Sequence, residues 1–400
     1  REEPWPPLAP RAISEDETLW EAIRRQDILL HHPYESFEPV IRLLQEASKD
    51  PGVLAIKMTL YRTSGDSPII RALEAAAENG KQVTVLVELK ARFDEERNIG
   101  WAQRLERAGV IVIYGIARLK VHAKAMLIVR REPDGIRRYV HLGTGNYNDK
   151  TARLYTDFGY MTSRDDLAYE VGLFFNAITG YSAIPNLTKL SMAPTGLKSR
   201  LIQMIGREAK RAESGEEALI MAKMNSLADP EVISALYEAS RAGVRIEVNV
   251  RGICMLVPGV AGVSENIRVT SIVDRFLEHA RAYYFYNGGA EEVYCSSADW
   301  MPRNLDRRVE LMFTVEEPRA KRRIIDALRL FMADNQHAFE LAPDGTYREV
   351  TPEGDSPALR VQEHFYREAR LHAEESAEAN KKEFTVRRSP PGNRQRSDDS

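Results

Sequence analysis

The sequence predicts an α/β fold built from two tandem homologous domains, each a mixed, mostly parallel sheet flanked by helices. Apolar strand-like runs alternate with helical patterns along the chain. The alternation occurs twice in the same order. Each copy then closes with a histidine-bearing strand and a return strand that ends in small residues.

In the first copy, VLAIKMTLY (53–61) reads as a buried strand. Ser67 then offers a helix N-cap with Pro68 at the first helical position. IIRALEAAAEN (69–79) carries apolar residues at helical spacing and stops at Gly80, and VTVLVEL (83–89) follows as a second strand. The second copy repeats this with LIMAKMNSL (219–227), Asp229-Pro230, EVISALYEASRA (231–242), Gly243 and VRIEVNVRG (244–252). RLKVHAKAMLIVRR (118–131) matches RFLEHARAYYFYN (275–287), each read as one apolar strand bearing His-x-Lys or His-x-Arg. A turn follows each, and the return strands end as HLGTGN (141–146) and YCSSAD (294–299). His122 and His279 stand 157 residues apart. The expected domains are 12–188 and 189–375, with 1–11 a proline-rich linker cut from something longer and 376–400 a disordered tail.

With 43% hydrophobic and 29% charged residues, the chain has the composition of a globular protein with real cores. A net charge of −3 points to no polyanion partner by itself, so any phosphate site must be a local cluster of Arg and Lys. The two cysteines, Cys254 and Cys295, form no CxxC pair, which argues against a disulfide framework or a cysteine zinc site and fits a reducing cytoplasm. No run of 18 apolar residues is present to span a membrane as a helix.

A period of two puts Lys120, His122 and Lys124 on one face of their strand, and His279 and Arg281 in the same register of the second. Polar groups in line on an apolar strand are costly to bury unless they line a site. Paired imidazoles beside a cation suit phosphoryl transfer: one attacks phosphorus, the other serves the leaving oxygen, and Lys124 stabilises phosphoryl charge. His31 and His32 are metal ligands by type, but neighbouring strand residues point apart, so a structural place is expected. His337, His364 and His372 fall in charged, helix-like stretches without an expected function. Arg130-Arg131, Arg137-Arg138, Arg303 and Arg307-Arg308 read as solvated charge.

His122-Ala-Lys124, followed by Gly143-Thr144-Gly145-Asn146, resembles the phospholipase D superfamily signature. His279-Ala-Arg281 with Ser296-Ser297-Ala298-Asp299 is its degenerate second copy. Longer stretches narrow the resemblance: HHPYESF (31–37), KMTLYRTSGDSPI (57–69), ELKARFDEERNI (88–99), KVHAKAMLIVRR (120–131), HLGTGNYND (141–149), YTDFGYMT (155–162), NVRGICML (249–256), FLEHARAYYF (276–285) and SSADWMPRNLDRRVEL (296–311). These resemble the catalytic half of bacterial polyphosphate kinases, over nearly the whole chain to about residue 370. The resemblance implies reversible transfer of the ATP γ-phosphate to polyphosphate through a phosphohistidine at His122. It implies that His141 is a second required histidine, and that Arg62 and Arg92 lie near the phosphates and their Mg²⁺. Because a guanidinium cannot ligate a cation, adjacency is the physical sense of those two positions. It further implies Tyr155 and Asp157 beside the nucleotide, with Asp157 orienting His122. Arg251 and His279 contact nucleotide phosphate, with His279 the general acid for departing ADP, and Arg308 and Glu310 belong to the same wall. Family members carry two further domains before this segment, and the parent is expected to be a cytoplasmic homo-oligomer, peripheral at the inner membrane, without nucleic-acid partners. The rival readings are a phospholipase D-type phosphodiesterase and a non-catalytic polyphosphate-binding module.

Overall fold

The computed structural model describes residues 3–14, 16–61, 67–88, 95–115, 119–180, 186–352, 354 and 356–383. Eighteen strands appear among them. The first eight are β1 (Ile28–His32), β2 (Val53–Leu60), β3 (Gln82–Val87), β4 (Ile111–Tyr114), β5 (Lys120–Val121), β6 (Ala125–Glu132), β7 (Gly135–Gly143) and β8 (Tyr155–Thr162). The others are β9 (Leu190–Ala193), β10 (Leu219–Met224), β11 (Arg245–Val250), β12 (Ile267–Ile272), β13 (Leu277–Glu278), β14 (Ala282–Phe285), β15 (Glu292–Ser296), β16 (Arg308–Thr314), β17 (Ala338–Leu341) and β18 (Tyr347–Glu349). The helices are α1 (Leu19–Arg25), α2 (Glu38–Lys49), α3 (Pro68–Glu78), α4 (Glu95–Arg107), α5 (Asp165–Ile178), α6 (Leu197–Glu213), α7 (Pro230–Arg241), α8 (Pro302–Leu305), α9 (Pro318–Ala333) and α10 (Val361–Glu383).

The expected helix signals act where they stand. Ser67 accepts from the Ile69 N–H with Pro68 in the first turn, and Asp229 accepts from the Glu231 and Val232 N–H groups ahead of α7. Gly80 and Gly243 follow these helices with positive φ, 77° and 100°, where a side chain would be strained.

Two mixed sheets carry the molecule. One runs β1-β8-β7-β6-β2-β3-β4, and the other β18-β17-β12-β11-β10-β14-β15-β16-β5 with β9 also on β16. The parallel runs are β2-β3-β4 and β10-β11-β12, with single parallel pairs of β13 on β8 and β5 on β16, and the β6-β7-β8 and β14-β15-β16 meanders are antiparallel. Antiparallel ladders therefore outnumber parallel ones, against the expected mostly parallel sheets, because the later strands are joined by turns and short loops rather than by long crossover helices. A central apolar core fills the space between the sheets. It joins residues such as Leu127, Leu142 and Phe158 to Leu311 and Phe313 through α5, α9 and α10. Separate cores lie on the outer faces, under α1–α4 on the first sheet and under α6 and α7 on the second.

The predicted single strands 118–131 and 275–287 each break at their histidine segment. β5 pairs in parallel with β16 of the second sheet, Lys120 against Arg308 and Val121 against Val309. β13 pairs in parallel with β8 of the first, Leu277 against Tyr155 and Glu278 against Thr156. Each copy thus sends its histidine across to the other copy's sheet. Elsewhere, the backbone of α10 continues helical through residue 383, and the rest of the expected tail, 384–400, lies outside the described residues. His337 precedes β17 and is not helical, because Asp334 caps its N–H and turns the chain out of α9.

Candidate active site

The two crossing strands end at the site, and their registers dictate its contents. After Val121 opposite Val309, the next residue, His122, faces Glu310; after Glu278 opposite Thr156, His279 faces Asp157. The backbone N–H groups of His122 and Ala123 both donate to the Val309 carbonyl, at 2.9 and 3.1 Å. His122 Nδ1 lies 2.9 Å from Glu310 Oε2. His279 Nδ1 lies 2.9 Å from both oxygens of Asp157. Each imidazole thus takes its carboxylate from the other copy of the repeat. The expectation that Asp157 orients His122 is overturned: Asp157 holds His279, and the buried Glu310 holds His122.

The supports repeat as well. Thr144 Oγ1 donates to Asp157 at 2.6 Å, and Ser297 Oγ donates to Glu310 at 2.5 Å, from matching places in the small-residue stretches. Asn304 Nδ2 adds a 2.6 Å bond to the other Glu310 oxygen. Gly145 is obligatory here, because a Cβ on it would stand 2.2 Å from Asp157 Oδ2.

Cations surround the two rings. Lys124 is buried beneath His122, bonds its carbonyl, and lies 5.1 Å from the centre of the Tyr61 ring, whose edge meets the His122 imidazole. Arg281 bonds Asp299 at 3.2 Å and places Nη1 3.3 Å from His279 Nε2 and 3.2 Å from the Thr144 carbonyl. Arg251 is fixed by Asn225 Oδ1 at 3.0 Å and by the Glu278 carbonyl at 2.7 Å. Tyr155 lies 5.4 Å from the His279 ring. Arg308, on the strand beside His122, makes no ion pair among the described residues.

Burial, reinforced by Lys124, Arg281 and Arg308, holds the His122 imidazole well below its usual range, so it is neutral at pH 7. Burial pushes Glu310 up to about 7 against the pull of Lys124, and pulls Lys124 down to about 7. Asp157 behaves oppositely: burial raises it, but His279, Thr144 and Arg281 outweigh burial and keep it ionised. His279 is lowered by burial, with Asp157 pulling the other way. Both rings keep a narrow opening, their side chains being 10% and 13% exposed.

Of the expected site residues, His122, Lys124, His279, Asp157, Tyr155, Arg251, Arg308 and Glu310 converge here. His141 does not: its Nδ1 lies 2.8 Å from Tyr147 Oη, and its ring is buried over Gly159 with its affinity for a proton lowered to about 3 by burial. Arg62 and Arg92 lie outside the described residues. Sequence reading missed Thr144, Ser297, Asn304, Asn225 and Asp299 as supports. The repeat held a signal for two of them, since Thr144 and Ser297 occupy the same place in Gly-Thr-Gly-Asn and Ser-Ser-Ala-Asp.

Comparison with known proteins bears on this geometry. Residues 18–184 match the family model for polyphosphate kinase C-terminal domain 1, and 190–362 match that for C-terminal domain 2. A polyphosphate kinase of Rhodopirellula baltica is 54% identical over 382 residues, which are 94% of this chain and 45% of that protein. One from Synechocystis is 53% identical over 369 residues, 92% of this chain and 51% of the relative. The crystal structure of a polyphosphate kinase from Porphyromonas gingivalis superposes with a TM-score of 0.87 at 40% identity, covering 94% of this chain and 57% of that one. A phosphatidylserine synthase from Haemophilus influenzae shares the fold, with a TM-score of 0.53 at 11% identity. The chain spans about half the length of the curated relatives it matches. By both domain models and by identity along nearly its whole length, the chain belongs to the polyphosphate kinase family, in which it corresponds to the two C-terminal domains.

Proposed function

We propose that the parent protein transfers the γ-phosphate of ATP reversibly to inorganic polyphosphate, with His122 as the group that carries it. The crossed pairs His122–Glu310 and His279–Asp157 carry this reading. Glu310 accepts from Nδ1–H of His122, which leaves the Nε2 lone pair free at the opening. In the first step Nε2 attacks the γ-phosphorus, a nitrogen–phosphorus bond forms, and the bond to the β-phosphate oxygen breaks, its electron pair leaving with ADP. In the second, a terminal oxygen of polyphosphate attacks the same phosphorus and the pair returns to Nε2.

Lys124, Arg281, Arg251 and Arg308 supply positive charge where the phosphoryl oxygens gather it. His279, oriented by Asp157, presents Nε2 beside Arg281, in place to meet the departing or entering oxygen. Asp157, Asp299 and Glu310 are each already bonded to a histidine or an arginine, and no group of three ligating side chains among the described residues could hold a metal. In this reading Mg²⁺ would accompany the substrate phosphates, whose oxygens suit a hard cation. The near-equal energies of the bonds exchanged make ATP synthesis from polyphosphate expected too.

The test is incubation of the parent protein with γ-labelled ATP. Acid-labile, base-stable label on His122 that chases into long polyphosphate, and is lost in His122→Gln, supports the proposal. Diester cleavage without ATP would move the site to phosphodiesterase chemistry. Label-free binding of polyphosphate would leave a binding module.

A further inference from the structure

A buried ion pair lies next to the site and outside the reacting groups. Glu278, the residue before His279, and Lys223 on β10 are each 1% exposed, and their charges meet at 2.9 Å. Two more donors close on the same carboxylate. Thr156 Oγ1 on β8 donates to Glu278 Oε2 at 2.7 Å, and Gln362 Nε2 on α10 donates to Oε1 at 2.7 Å. Three donors from three elements thus converge on one side chain. A carboxylate accepts from all of them, whereas a glutamine would turn its own N–H groups toward a donor.

A buried charge pair is a poor source of stability, because desolvation offsets its attraction. The contacts of this one lead to the working groups. Thr156 Oγ1, with its proton on Glu278, accepts from the His279 backbone N–H at 3.1 Å. Thr156 also precedes Asp157, which holds the His279 ring. Gln362 grips the same strand: its Oε1 accepts from the Phe276 N–H and its Nε2 donates to the Phe276 carbonyl, both at 2.9 Å. The Glu278 carbonyl in turn accepts from Arg251 Nε at 2.7 Å. Because β13 pairs with β8 over two residues alone, these side chains supply the hold that the short ladder lacks.

The first copy is built otherwise. The residue before His122 is the apolar Val121, whose N–H donates to Glu88 at 3.0 Å, and Lys57, at the place of Lys223, bonds Asn176 at 3.1 Å. A carboxylate one residue ahead of the histidine belongs to the second copy alone.

We infer that Glu278 and Thr156 are positioning residues that seat His279 against Asp157, with Lys223 and Gln362 fixing the Glu278 carboxylate. Both are buried and act through His279.

The inference rests on His279 as the second working imidazole, but one of its readouts needs no ATP, so its failure and that of the phosphotransfer reading are distinguishable. An imidazole N–H that donates to a carboxylate gives a proton resonance far downfield. In the parent protein labelled with ¹⁵N-histidine, the His279 signal is assigned by its loss in His279→Gln. Thr156→Val keeps the shape of the side chain and removes the hydroxyl. It should abolish the downfield signal and lower kcat about tenfold at unchanged KM for ATP, and Thr156→Ser should restore both. A merely structural role would cost stability without separating valine from serine in these two readouts. Equal behaviour of the two variants, or a signal unchanged in Thr156→Val, overturns the inference. Glu278→Asp keeps the charge but draws the carboxylate back by one methylene, so it should weaken the same signal. An unchanged signal there overturns the inference even if Thr156→Val does not fold.

Discussion

At His122 the facing carboxylate is Glu310, pushed up to about 7, and the cation in the His-x-Lys position is Lys124, pulled down to about 7. At His279 the facing carboxylate is Asp157, held ionised, and the corresponding cation is Arg281, locked to an Asp299 that stays at about 2 because the guanidinium outweighs burial. The same crossed geometry is charged differently in the two copies. A neutral imidazole beside groups that share protons near pH 7 suits a nucleophile. An imidazole between a fixed anion and a fixed cation suits orientation and proton handling. Environments that push paired groups apart in this way are what separate acid from nucleophile.

The largest expected effect breaks this comparison outright. Glu310→Gln lets an amide N–H stand against Nδ1 of His122 in place of a carboxylate oxygen, which unfixes the tautomer, and slows single-turnover phosphorylation of His122 by about 10³–10⁴-fold. Asp157→Asn acts on the second ring and slows the same step less. Reversed magnitudes would exchange the roles of the two imidazoles.

Stability tests the neutral side of the comparison. His31, His32, His122 and His141 have folded proton affinities depressed by burial, so their contribution is complete above the unfolded value near 6.5 and is lost as pH falls below it. Glu310, raised in the fold, acts oppositely: its cost is complete above pH 7 and is relieved as pH falls toward its unfolded value near 4.5. Unfolding followed by denaturant should show stability falling as pH drops from 7 to 4, with a slope of about 1.4 kcal/mol per pH unit for each ring that stays neutral in the fold, offset by one such slope from Glu310. A flat profile would mean that these rings are charged or solvated.

Exchanging the cations sharpens the contrast. Protonated Lys124 stabilises phosphoryl charge, so the labelling rate should fall above about pH 7, by up to tenfold per pH unit. Lys124→Arg should flatten that limb, while Arg281→Lys should leave it in place. The smallest effect is expected at Arg308, which lacks an ion pair among the described residues: Arg308→Ala should raise KM for polyphosphate about tenfold, roughly 1.4 kcal/mol, with the phosphohistidine still forming.

Much of this was legible along the chain because it is local. Ser67-Pro68 and Asp229-Pro230 cap helices through their own side chains, Gly80 and Gly243 end them through φ, and His-x-Lys declares itself at spacing two. The pairing of histidine with carboxylate is not local. YTDFGY and RVELMF place Asp157 and Glu310 at the same point of matching strands, so the two carboxylates could be found by aligning the copies. Which imidazole each faces depends on β5 joining β16 and β13 joining β8, a choice made by sheets more than a hundred residues away in sequence. The resemblance attaches Asp157 to His122, the phosphorylated position, and the fold attaches it to His279. Mostly parallel sheets are expected for a similar reason: the strand–helix–strand units are conspicuous, and the meanders that outnumber them leave weaker periodic signals.

The account stands on Nδ1 of His122 being occupied by Glu310, which leaves only Nε2 to react. Phosphorylating the parent protein with ATP, hydrolysing it in base and separating the positional isomers of phosphohistidine measures this directly. The account predicts phosphate on Nε2 alone. Phosphate on Nδ1 of His122, or on His279, would contradict it.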